Sequence, residues 1–168
     1  MNNIVLIGMP GAGKSTLGVL LAKRMNRNFT DTDLLIQQAA GRKLQEIIDE
    51  DGLDAFNRLE RDIICAFRTE ETVIATGGSA VLDDAAAKHL KTLGPVIYLE
   101  VPKEELFPRL TNLSTRGIAM KPGETMEDVF AYREPIYKRW ADATVDAHTG
   151  SAWDAVLRIE EAVKALIE

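Results

Sequence analysis

The sequence predicts an α/β fold in which a parallel sheet is covered by helices on both faces. Three observations carry that prediction. Short β-branched runs alternate with longer stretches of helical periodicity. The first run, "IVLIG" at 4–8, is apolar throughout, as suits a strand buried on both faces. A glycine-rich loop, "GMPGAGKS" at 8–15, joins that run directly to the first helical pattern.

The elements follow in order. Residues 14–26 read as a helix with Leu17, Leu20, Leu21 and Met25 on one side. "FTDTD" (29–33) is a short strand edge running into a helix from Leu34. "KLQEIIDE" and then 53–69 are helical, with Leu53, Phe56, Leu59, Ile63 and Phe67 as the core-facing stripe at ~100° per residue. On that helix Cys65 is expected to be a small buried hydrophobe. "TVIATGG" (72–78) is a strand stopped by two glycines, and 83–92 is a helix starting at an Asp pair suited to capping. "GPVIYLEV" (94–101) is the next strand, with Pro95 at its start, where a missing N–H is tolerated. Pro102 opens a helix to about Asn112. Thr125 and Asp128 have capping-box spacing for a helix reaching about Trp140. "ATVDA" is a last short strand, and "SAWD" (151–154) caps the closing helix. The least structured stretch is 111–124, "TNLSTRGIAMKPGE". A loop of that length inside a compact domain is usually functional or disordered.

Composition narrows the function. The chain has 168 residues, 46% apolar and 27% charged, which suits one globular domain spanning 1–168. Its net charge of −6 disfavours nucleic acid as a partner. One cysteine excludes an internal disulfide, and two scattered histidines cannot build a zinc site with it. No apolar run approaches the ~20 residues of a membrane span, and "NNIVLIG" has neither the basic region nor the cleavage site of a signal peptide. The expected setting is therefore the cytoplasm, with a small-molecule acceptor, no nucleic acid, no membrane and a monomeric state.

The loop at 8–15 matches G-x-x-x-x-G-K-[ST] in the context that pattern requires, after a buried strand and opening a helix. Gly8, Gly11 and Gly13 let successive backbone N–H groups turn inward toward phosphate oxygens. The helix N-terminus adds partial positive charge. Lys14 is placed to reach the β- and γ-phosphates, and the Ser15 hydroxyl to coordinate Mg²⁺. The nucleotide set is thus Gly11, Ala12, Gly13, Lys14, Ser15 and Thr16, with ATP and Mg²⁺ as cofactors. A GTPase would carry N-K-x-D, which is absent, and the strand at 72–78 ends in Thr76-Gly77-Gly78 instead of the acidic end of a motor ATPase. A small kinase with a polar acceptor site and a mobile lid remains.

Three features fit such a kinase. Asp31 and Asp33 stand at the carboxyl end of the second strand, where open α/β sheets bind ligands. Spacing of two in an extended stretch puts both on one side, one for the metal and one for an acceptor hydroxyl. Gly77 and Gly78 allow a ligand to touch backbone. Arg109, Arg116 and Arg133 flank or occupy the loop region and supply forked cations for phosphoryl and carboxylate oxygens.

These residues resemble the shikimate kinase family across essentially the whole chain, in order through "GMPGAGKST", "FTDTD", "AFNRLE", "TGGS", "RLTNLSTR", "YREPIY" and "ADATVDA". The resemblance implies a five-stranded parallel sheet, an ATP site on the P-loop, an acceptor-binding region at about 31–62 and a lid at about 111–124. It implies that Asp31 acts with Ser15 at the metal. Asp33 would hold the acceptor and orient or deprotonate its attacking hydroxyl. Gly77 and Gly78 would offer backbone, and Arg133 would bind a carboxylate. Arg109 would lie against adenine, Arg116 would swing onto the phosphates, and 147–152 would wall the adenine. Asp33, Lys14 and Arg116 form the expected catalytic set. Asn57, Glu60 and Ser79 complete the expected acceptor set.

The sequence departs from the family pattern on the acceptor side. The family has Phe-Arg-x-x-Glu where this chain has Phe56-Asn57-Arg58-Leu59-Glu60, and Gly-Glu where it has Gly52-Leu53. It has three glycines where this chain has Gly77-Gly78-Ser79, and Arg-Pro where it has Arg116-Gly117. Arg58 is expected to point away from the core, and Arg61, one turn from Asn57, is the better substitute for the missing arginine. Gly117 is expected to loosen the lid. The favoured reaction is ATP-dependent conversion of shikimate to shikimate 3-phosphate. The alternatives are a related kinase for another small hydroxylated acceptor and a non-catalytic nucleotide-binding relative.

Overall fold

A computed structural model describes residues 2–111 and 117–168. The chain alternates strand and helix, as its patterning predicts. Strands β1 (Ile4–Ile7), β2 (Asn28–Asp31), β3 (Thr72–Ala75), β4 (Val96–Glu100) and β5 (Ala143–Asp146) form one sheet in the order β2-β3-β1-β4-β5. Every pairing in it is parallel, with Val5 opposite both Ile74 and Val96. The central strand therefore delivers the glycine-rich loop to the middle of the sheet's carboxyl edge.

Side-chain alternation along β1 feeds two cores. Ile4 and Leu6 pack with Leu17 and Leu21 of α1 (Lys14–Arg24) and with Val156 and Ile159 of α8 (Ala152–Ile167). Val5 and Ile7 pack on the other face with Leu90 of α5 (Asp84–Leu93) and Tyr137 of α7 (Met126–Trp140). The Asn3 side chain ties the amino end of the sheet: its amide donates to the Thr69 and Leu93 carbonyls and its oxygen accepts from Thr72 N–H. A third, smaller core lies among α2 (Thr32–Ala40), α3 (Leu44–Asp51) and α4 (Leu53–Ala66). It joins Ile36 of α2, Leu44 and Ile47 of α3, Phe56 of α4 and Ala119 from the end of the loop.

Capping follows the sequence signals. Asp83 accepts from Ala86 N–H, and Thr125–Asp128 and Ser151–Asp154 form reciprocal boxes. Four expectations are corrected. The helix after Pro102 runs only over α6 (Lys103–Leu106) and then tightens to a 3₁₀ turn at Phe107–Leu110, because Pro108 has no N–H to continue the ladder; Asn112 lies outside the described residues. Helix α4 stops at Ala66 instead of residue 69. Its deepest stripe is Phe56, Glu60 and Ile64, while Leu53, Leu59, Ile63 and Phe67 are only half-buried. Cys65 is likewise half-buried. Among the described residues, no helix is long and apolar enough to cross a membrane.

Candidate functional site

The loop between β1 and α1 is folded by its glycines. Gly11 and Gly13 adopt φ of +80° and +88°, a region costly for side-chain-bearing residues. The loop closes around Lys14, whose Nζ donates to the Gly8 and Met9 carbonyls at 2.7 Å each. Burial pulls the Lys14 ammonium down to about 8, with the nearby Asp33 carboxylate acting in the opposite sense. It is still mostly charged at neutral pH. Thr16 lines the cavity beside it, whereas the Ala12 side chain is 1% exposed and packs into the core, leaving only its backbone for a phosphate.

Across the loop, β2 ends at Asp31. Ser15 Oγ donates to Asp31 Oδ2 at 2.5 Å, and Asp31 Oδ1 accepts from Asp33 N–H at 2.9 Å. The expectation of two carboxylates side by side on one strand is corrected here. Asp31 caps α2, and Asp33 lies in that helix's first turn, because β2 is only four residues long. Asp33 lines the cavity, and Asp31 is joined to it through Ser15 and the Asp33 amide. Burial pushes the Asp33 carboxyl up to about 6, with Asp31 adding to the shift and Lys14 opposing it.

A cavity of about 270 Å³ collects Lys14, Ser15, Asp33, Gly77, Gly78 and Arg133. Each glycine is sterically required. A Cβ on Gly77 would collide with the Asp33 carboxylate, and one on Gly78 would sit 2.6 Å from Pro10 Cδ. Two residues that the patterning did not reveal hold this turn: Thr32 Oγ1 accepts from Gly77 N–H at 3.2 Å, and Tyr137 Oη donates to the Gly78 carbonyl at 2.5 Å. Phe56 and Ile118 add apolar walls. Arg133 is 3% exposed, donates to the Ala119 carbonyl and makes no ion pair among the described residues. A guanidinium buried without a counter-ion creates a demand for an anionic ligand.

The departures from the family pattern resolve into a defined arrangement. Glu60 is 4% exposed, at the centre of α4's buried stripe, which the apolar pattern alone did not include. Its Oε1 accepts from Ser79 Oγ at 2.7 Å, and its Oε2 has no hydrogen-bond partner among the described residues. Burial pushes its carboxyl up to about 7, against the pull of the Ser79 hydroxyl. Asn57 is exposed and lines a second cavity beyond Arg133, not the one against the P-loop. Arg58 is exposed, as its helical phase predicts. Arg61 lines neither cavity and pairs with Asp62 at 3.1 Å. Arg109 sits over the loop, donating to the Gly11 carbonyl at 3.2 Å. Arg116 lies outside the described residues.

A phosphate-binding loop on the central strand, with a half-buried carboxylate and a buried arginine lining one cavity with its lysine, makes this a small-molecule kinase of the P-loop class. A family model described as shikimate kinase matches residues 10–167. The chain belongs to the shikimate kinase family. It is 37% identical over 165 residues to the shikimate kinase of Aromatoleum aromaticum, covering 96% of this chain and 94% of that protein. Among solved structures, a shikimate kinase from Acinetobacter baumannii in complex with shikimate superimposes with a TM-score of 0.88 at 28% identity, over 99% of this chain and 94% of that one. The shikimate kinase of Aquifex aeolicus gives 0.84 at 27% identity, over 98% of each chain.

Proposed function

We propose that the protein transfers the γ-phosphoryl group of ATP to the 3-hydroxyl of shikimate, giving shikimate 3-phosphate and ADP. The observation that carries this reading is the convergence on one small cavity of Lys14, Asp33 and the buried Arg133, which has no ion pair among the described residues. The loop amides and Lys14 bind the β- and γ-phosphates. Arg133 takes the acceptor's carboxylate, and the backbone of Gly77 and Gly78 carries its ring. Asp33 accepts the hydroxyl proton as the new O–P bond forms and the bond from γ-phosphorus to the bridging oxygen breaks. An acid displaced to about 6 is largely ionised at neutral pH and more basic than an ordinary aspartate, which suits that transfer.

Ser15 and Asp31 fit Mg²⁺. Their oxygens meet beside the phosphate site, and no cluster of three or more acidic, His or Cys residues competes for a metal among the described residues. Mg²⁺ commonly takes one or two protein oxygens and fills its shell with phosphate and water. When bound, it neutralises charge on the phosphate oxygens. Arg109 at the loop's edge is assigned to the nucleotide, and Arg116 to the phosphates. The whole chain acts as one domain, as a monomer in the cytoplasm.

Acceptor-dependent ADP release over shikimate, quinate and other small hydroxy acids and polyols tests this reading. Turnover is expected with shikimate. Turnover with another acceptor and none with shikimate would mean that Asn57 and Ser79 mark a rebuilt acceptor site. No turnover with any acceptor, despite ATP binding, would make the chain a non-catalytic relative.

A further inference from the structure

The acceptor recess does not end at Arg133. That side chain and Ala119 form a wall shared with a second cavity of about 640 Å³, bounded by α4, α7 and the returning end of the 111–124 loop. Asn57 stands in this second cavity, at the position where the family pattern carries an arginine. Lys121 lines it too. The Lys121 side chain is exposed and makes no salt bridge among the described residues. The two carboxylates in the lining, Glu124 and Asp128, are each turned to a backbone amide. Glu124 Oε1 accepts from Lys121 N–H at 3.2 Å, and Asp128 Oδ2 accepts from Thr125 N–H at 3.0 Å.

We infer that Lys121 supplies the second positive charge for the acceptor's carboxylate, in place of the arginine that Asn57 has replaced. The inference rests on the acceptor reading given above. It places the carboxylate at the boundary between the two cavities, held by Arg133 from within and by Lys121 and the Asn57 amide from the outer side. Lysine is a compact charge on a flexible stem, suited to reaching an anion from a loop, whereas Arg61 lines neither cavity. The grip is then charge-assisted on both sides, although one partner has moved from helix α4 to the loop.

The test compares wild type with Lys121→Gln, using shikimate and its uncharged methyl ester as acceptors. Removing one charged partner should raise the KM for shikimate about tenfold. The KM for ATP and the KM for the ester should not change, and neither should Tm, since the side chain is exposed. Adding Asn57→Arg to Lys121→Gln should restore the wild-type KM for shikimate. An unchanged shikimate KM in Lys121→Gln, or an equal rise for acid and ester, would overturn the role of Lys121 while leaving the acceptor assignment standing. A wild-type protein that phosphorylates no shikimate at all would overturn the acceptor assignment, and this role with it.

Discussion

Asp33 and Glu60 are the two carboxyls whose surroundings set the chemistry, and both sit above the ordinary carboxylate range because they are buried. For Asp33 the consequence is kinetic and thermodynamic. As a base it must be ionised, so acceptor-dependent kcat/KM should rise with pH through about 6. Asp33→Asn should lower kcat roughly 10²- to 10⁴-fold, remove that rise and leave ATP affinity nearly unchanged; equal loss of both activities would contradict the assigned role. Because its folded pKa lies above the unfolded value of 3.8, Asp33 contributes stability below about pH 4 that is lost as pH rises through about 6. Asp33→Asn should therefore raise Tm at pH 7, measured by calorimetry. Ser79, which stands where the family pattern has a third glycine, donates to one Glu60 oxygen at 2.7 Å, a contact that no cation makes among the described residues, although the Arg133 charge also favours the carboxylate. Ser79→Ala should lower unfolding free energy by about 1–2 kcal/mol. It should also raise the acceptor KM without moving the KM for ATP. A change in neither would show that the Glu60 carboxylate is held by its surroundings alone.

Among the elements, the segment Gly117–Ala119 has the sharpest geometric requirement. Gly117 has φ of +65°, and a Cβ there would lie 2.5 Å from Leu44 Cβ. Two residues later Ala119 enters the small core formed by Ile36, Leu44, Ile47 and Phe56. The expectation that glycine merely loosens the lid is therefore corrected: glycine lets the returning loop seat closely on α3, in a conformation that proline, fixed near −65°, cannot adopt. Gly117→Ala should push the loop off α3 and raise the acceptor KM, with little loss of Tm because the large cores are untouched. Leu44→Ala in the same chain should relieve part of the defect, and a Gly117→Ala protein with wild-type kinetics would refute the seating. The same loop shows where pattern reading ends. Periodicity and capping signals located β1, α1, α5, α7 and α8 because each buries a regular stripe or carries a box such as Thr125–Asp128 or Ser151–Asp154. No periodicity runs through 111–124, so neither the approach of Gly117 to α3 nor the place of Lys121 in the cavity that Asn57 lines was visible. On α4 an apolar-only reading rotated the buried face away from Glu60, because a carboxylate was not counted as core. Asp33 was assigned to a strand because Asp31, the true cap of α2, also resembles a strand residue.

At the scale of the molecule, one topological feature organises the site. With β1 in the centre, the loop at Gly8–Ser15, the β2–α2 junction and the turn at Gly77–Gly78 all open at the same carboxyl edge. The fold class and the phosphate loop were readable from the sequence because they depend on local spacing. The acceptor recess was not, since it depends on packing among α2, α3, α4, α7 and the returning loop. This division explains the pattern of substitution: the P-loop motif is intact, and the departures at Asn57, Ser79 and Gly117 fall on the acceptor side and are matched by Ser79–Glu60, Lys121 and the Leu44 contact. Phosphorus NMR of the protein with ATP, Mg²⁺ and shikimate tests most directly that phosphate passes to one hydroxyl of shikimate. One new phosphomonoester resonance is expected, coupled to the proton at carbon 3 and growing in equal measure with ADP, and growing at least ~10²-fold more slowly with Asp33→Asn. ADP accompanied only by inorganic phosphate, or an ester at another hydroxyl, would contradict it.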